Sequence, residues 1–174
     1  MRIIAVLGST GSIGTNTLDV VRRNHHLYEV YSLVAGQNIE ILAAQILEFR
    51  PKLAVVATSD GLARLTECLT RSGLPRTDWP ELGWGGAARV EAVRAAEVDT
   101  VISAIVGVAG LEATYEAVCL GKRVGLPIRK YWFPAAAWSC RPSASMERNS
   151  CRWTANITGR INACVPATGR RSPG

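Results

Sequence analysis

No pair of cysteines in this sequence has C-x-x-C spacing. Cys68, Cys119, Cys140, Cys151 and Cys164 are scattered, and the only histidines, His25 and His26, lie side by side far from them. That excludes a zinc finger or ribbon, whose ligands come in short paired spacings. An odd set of unpatterned thiols is expected of a reduced, cytoplasmic protein. Nothing approaches the ~20 consecutive apolar residues of a membrane span. Met1 leads straight into RIIAVLG, too short an apolar stretch for a secretory leader. No internal repeat is visible.

Residues 127–174 contain no leucine and no aspartate, and four residues in all from isoleucine and valine. Such a stretch buries too little apolar side chain to offset the entropy of ordering it, so an unstructured tail is expected. The same stretch carries 8 Lys/Arg against Glu147 alone, a balance of +7. Residues 1–126 carry 12 Lys/Arg and 13 Asp/Glu, a balance of −1, and the two parts sum to the net charge of +6. The basic character therefore belongs to the tail and does not mark a nucleic-acid surface on a folded domain. The chain divides into a domain at 1–126 and a tail at 127–174.

What the first part does contain is an alternation of two patterns. Short apolar runs at residues 3–7, 28–36, 53–58 and 99–107, with the start of another at 123–126, read as strands buried on both faces. Between them lie amphipathic stretches. Leu18, Val20 and Val21 are expected on the buried face of the first helix, and Ile39, Leu42, Ala43, Ile46 and Leu47 on that of the second. Asn38 is placed to cap the second helix and Ser59 or Asp60 the third, while residues 74–86 read as turn-rich. Strand and helix alternating at this interval predict βαβ units: an α/β, Rossmann-like parallel sheet with helices on both faces.

GSTGSIG follows the first strand directly and opens the first helix, with Gly8, Gly11 and Gly14 in G-x-x-G-x-x-G spacing. Glycines there let the backbone turn tightly and approach a ligand, and the helix amides face its pyrophosphate. The plainer alternative is a tight turn and nothing more. At the end of the second strand a carboxylate would accept from a ribose 2′-hydroxyl and select NAD. The sequence there is AGQN, without an acid, which favours NADP; Gln37 and Asn38 also serve as a turn and a cap.

LGSTGSIGTNTLDVVRRN, VAGQNIE and SAIVGVAGLEATYEAVCLGKRVGL together resemble the amino-terminal domain of the 1-deoxy-D-xylulose 5-phosphate reductoisomerases, from Met1 to Leu126. The resemblance implies NADPH contacts from Thr10, Gly11, Ser12 and Ile13 in the loop and from Gly36, Gln37 and Asn38 beyond the second strand. The position of Gln37 is often basic in that family. The intact family acts with Mg²⁺ or Mn²⁺ on 1-deoxy-D-xylulose 5-phosphate, giving 2-C-methyl-D-erythritol 4-phosphate in non-mevalonate isoprenoid biosynthesis, and is expected to be a cytoplasmic homodimer without nucleic-acid or membrane partners.

The resemblance stops at Leu126. The family continues with Ala-Asn-Lys-Glu and later Val-Asp-Ser-Glu-His-Asn, whose carboxylates hold the metal, and neither string is present. Read one base earlier, however, codons for PIRKYWF can spell Ala-Asn-Lys-Glu-Val-Leu-Val, and codons for WTANIT can spell Val-Asp-Ser-Glu-His-Asn. A frameshift near codon 127 is therefore expected, the alternative being a basic tail evolved as it stands. On this reading the chain has no catalytic and no metal-ligating residues of its own. Two other classes stay open: another NADP enzyme such as an extended short-chain dehydrogenase, whose Tyr-x-x-x-Lys pair is missing here, and a non-catalytic nucleotide-binding module.

Overall fold

The apolar runs pair into one parallel sheet. The computed structural model describes residues 1–126 and the short segments Cys151–Arg152 and Val165–Pro166. Its elements are β1 (Arg2–Leu7), α1 (Ser12–Arg23), β2 (Tyr28–Val34), α2 (Ile39–Phe49), β3 (Leu53–Val56), α3 (Ser59–Arg71), β4 (Glu81–Trp84), α4 (Gly85–Arg94), β5 (Thr100–Ser103), α5 (Leu111–Cys119) and β6 (Arg123–Gly125). The strand order is β4-β3-β2-β1-β5-β6, parallel throughout. The chain thus builds outward from β1 to β4, then returns to β1's other side for β5 and β6. Crossovers keep one hand, so this reversal moves the helices to the opposite face.

Two cores record the reversal. Ile4, Val6 and Leu33 pack with Leu18 and Val21 of α1, Leu42 and Ile46 of α2 and Leu65 and Leu69 of α3. Ala5, Leu7, Val34 and Val55 pack with Val90 and Val93 of α4 and Ala113 and Ala117 of α5. Alternate residues of β1 are thus buried on opposite faces, which is why it reads as a continuous apolar run. No helix among the described residues is long and apolar enough to cross a membrane. Cys68 and Cys119 are free thiols. In the tail, Cys151–Arg152 pairs antiparallel with Val165–Pro166; otherwise the expectation of an unstructured tail falls on residues outside those described.

Several local expectations are corrected. Val20 is 55% exposed, because it lies about 200° around α1 from Leu18. Leu47 is likewise exposed, about 140° from Leu42, and the position facing inward beside Ile46 is the polar Gln45. Within residues 74–86 the turns give way to β4, which forms only because it pairs with the outer edge of β3, a contact remote in sequence. Helix α3 is capped by neither Ser59 nor Asp60. Thr58 is the N-cap, its Oγ1 accepting from the Gly61 amide at 3.2 Å. Replacing Thr58 by alanine should lower stability by about 1 kcal/mol, measured by urea unfolding, whereas Ser59→Ala should be near neutral.

Candidate functional site

Gly8 leaves β1 with φ +86°, a conformation that only glycine adopts without strain. A Cβ there would also meet the Ala104 carbonyl carbon at 2.9 Å, so the turn presses against the chain leaving β5. The Gly8 and Ser9 amides both donate to the Val34 carbonyl at the end of β2, at 2.8 and 2.9 Å. The loop is thereby held at the carboxyl ends of β1, β2 and β5, where the strand order reverses.

Helix α1 begins immediately. Gly11 is its N-cap residue, no side chain caps it, and its first turn contains no acid. The amides of Ser12, Ile13 and Gly14 have no partner within the helix, as at any helix start, and the positive end of the helix dipole stands unopposed by a carboxylate. Gly11 and Ser12 are exposed and Thr10 and Ile13 half-buried, so this end opens to solvent. Gly14 is different. A Cβ on it would lie 2.2 Å from the Gly8 carbonyl oxygen and 2.5 Å from the Ser9 Cα. Its bare Cα is what lets α1 start against the loop, and it is itself buried.

Gly36, Gln37 and Asn38 follow the adjacent strand β2, and all three are exposed. Asn38 occupies the N-cap position of α2, but its side chain makes no capping bond. No carboxylate lies at 35–38. The nearest in sequence, Glu40, is paired with Arg64 of α3 at 2.9 Å. Its own backbone amide, and then the Arg64 guanidinium, hold its carboxyl below the usual carboxylate range. The structure therefore brings residues 10–13 and 36–38 to the carboxyl ends of neighbouring strands, since Leu7 of β1 is in register with Val34 of β2. The residues that directly follow Leu126, where the family continues with Ala-Asn-Lys-Glu, lie outside those described.

Sequence reasoning missed the buried polar groups behind the site. The Ser103 and Thr114 hydroxyls are 2.8 Å apart, and Thr114 donates onward to the Gly110 carbonyl at 2.6 Å, tying the end of β5 to the start of α5. The Gln45 Nε2 donates to the Ser9 carbonyl at 3.0 Å, both residues being buried. A groove of about 410 Å³ lies elsewhere, lined by Ile4, Val20, Val21, Ile102 and Gly125. It exists because α1, α2 and α3 cover only part of their face of the sheet. None of the expected site residues lines it.

An open parallel sheet, with a glycine loop and the start of α1 where its strand order reverses, is a Rossmann-like α/β domain. A family model described as 1-deoxy-D-xylulose 5-phosphate reductoisomerase matches residues 4–128, and the chain belongs to that family. It is 79% identical over 126 residues to the 1-deoxy-D-xylulose 5-phosphate reductoisomerase of Solibacter usitatus, covering 72% of this chain and 32% of the relative. The Janthinobacterium sp. enzyme of the same name is 43% identical over 176 residues, covering 99% of this chain and 43% of the relative. Among solved structures, the Zymomonas mobilis reductoisomerase in complex with NADPH superposes with a TM-score of 0.70 at 36% identity, over 79% of this chain and 35% of that one. A DOX-P reductoisomerase in complex with magnesium gives 0.67 at 34% identity, over 72% and 30%. The chain thus spans 32% and 43% of the length of these two curated relatives.

Proposed function

We propose that this chain is the NADPH-binding part of a 1-deoxy-D-xylulose 5-phosphate reductoisomerase. The observation that carries this reading is the uncapped start of α1, aimed out of the 8–14 loop at the sheet's reversal point. Thr10, Gly11, Ser12 and Ile13 hold the pyrophosphate through backbone amides and the Thr10 and Ser12 hydroxyls. Gly36, Gln37 and Asn38 receive the adenosine ribose and its 2′-phosphate, with no carboxylate at 35–38 to repel it. When bound, NADPH supplies the hydride of the family reaction. This chain's residues bind and orient it.

The substrate of the whole protein is 1-deoxy-D-xylulose 5-phosphate, its working state a homodimer, and its compartment the cytoplasm. The family's Mg²⁺ or Mn²⁺ is not accommodated by the part described. Among the described residues no three His, Cys, Asp or Glu side chains come together to hold it. The tail is read as the product of a frameshift near codon 127. The family match ending at residue 128 and the Solibacter match of 126 residues support this. The Janthinobacterium match, which reaches 99% of the chain, favours instead a tail encoded in its own frame. Resequencing the gene across codon 127 separates the two.

NADPH and NADH titrations test the site. NADPH should bind more tightly than NADH, and Gln37→Lys should strengthen NADPH binding by roughly three- to tenfold through a charge-assisted contact to the 2′-phosphate. NADH affinity should not change. Equal gains for both coenzymes would place Gln37 away from the ribose.

A further inference from the structure

Among the described residues, one side chain from outside the phosphate loop and its helix α1 hydrogen-bonds to the loop. Ser9 is completely buried in the loop, so each of its backbone groups needs a partner. Its amide donates to Val34 at the end of β2. Its carbonyl accepts from Gln45, 36 residues on, in the middle of α2 and on that helix's buried face. Both groups of this loop residue are therefore fixed by the β2–α2 unit, the unit whose connection carries residues 36–38. A glutamine among Leu42, Ala43 and Ile46 is otherwise costly, since its amide is desolvated there. Two further polar atoms mark the same place. The Gln45 Oε1 and the Ser9 Oγ are buried and have no hydrogen-bond partner among the described residues.

We propose that Gln45 is a positioning residue of the dinucleotide site. Through the Ser9 carbonyl it locks the pyrophosphate loop to α2, and so fixes the spacing between the loop and residues 36–38 without touching the ligand. This rests on the reading of the 8–14 loop as the pyrophosphate cradle. Methionine has glutamine's length but no donor, so Gln45→Met leaves the helix packed and the Ser9 carbonyl buried without a partner. In Gln45→Glu the carboxylic acid can still donate to Ser9, whereas the carboxylate cannot and repels the carbonyl.

The test uses the full 174-residue chain and three readouts. Without ligand, amide hydrogen exchange in Gln45→Met should rise at least about tenfold at residues 8–12 while β2 and α2 stay protected. NADPH binding should weaken by about tenfold, the loss expected of one buried hydrogen bond, and 2′-AMP, which lacks a pyrophosphate, should bind within about twofold of wild type. Relative to wild type at each pH, Gln45→Glu should lose NADPH affinity as pH rises. Unchanged exchange at residues 8–12, equal losses for NADPH and 2′-AMP, or a Gln45→Glu profile parallel to wild type would each overturn the proposal. If wild type binds no NADPH, the coenzyme reading fails, and the exchange result still judges the clamp. If Gln45→Met does not fold, the Gln45→Glu profile decides.

Discussion

Gly14→Ala should cost about 3 kcal/mol or more and lower the melting temperature by on the order of 10 °C, with NADPH binding lost alongside. The added methyl would sit 2.2 Å from the Gly8 carbonyl oxygen and 2.6 Å from the Ser9 carbonyl carbon. Both are backbone, and no side-chain rotation relieves the overlap. Either α1 moves off β1, opening the core around Leu18 and Val21, or the loop unwinds. The other two glycines of the triplet separate fold from function. Gly8→Ala should also destabilise, since its φ is +86° and its methyl would press on Ala104. Gly11→Ala should fold almost normally, because its φ is −80° and the nearest atom to a Cβ there is 3.6 Å away. Any loss of NADPH binding in a folded Gly11→Ala would therefore come from the ligand's approach. Gly36→Ala, with nothing within 4 Å of the new methyl, is the control. Thermal unfolding of the four variants checks the order. A Gly14→Ala chain as stable as the Gly36→Ala chain would refute the packing account.

Mixed with 1-deoxy-D-xylulose 5-phosphate, NADPH and Mn²⁺, the 174-residue chain should oxidise no NADPH. The family reaction needs a carbonyl polarised by metal and shielded from water. After Glu116 the only carboxylate in the sequence is Glu147, too few for an oxygen-ligated divalent ion. Residues 1–126 end just past β6, and no element among them closes over the carboxyl end of the sheet to hold two reactants in attack geometry. A chain carried in the alternative frame from codon 127 and extended to the relatives' full length should turn over under the same conditions. Turnover by the 174-residue chain itself would sink both the frame reading and the division of labour proposed. Silence from the extended chain, despite intact NADPH binding, would sink the frame reading alone.

The amino-acid sequence by itself determined the α/β class, the glycine loop between β1 and α1, the uncharged end of β2 and the family. Each of these is written within a few consecutive residues: apolar runs, a glycine triplet, AGQN. Tertiary structure alone decided the rest. β4 exists because β3 offers an open edge, a pairing that no local periodicity announces. Val20 is as apolar as Leu18 and Val21, but the helix turns it to solvent, and among the described residues no helix lies over that flank of the sheet. Gln45 is in sequence one polar position among several on α2, and only the fold sets it against Ser9. Gly14 is read from sequence as a motif position, yet its necessity is a distance, 2.2 Å to a backbone oxygen. Local pattern reports what each segment prefers. Which backbone groups are left wanting partners, and which atoms nearly collide, is settled only when segments far apart in the chain are packed together.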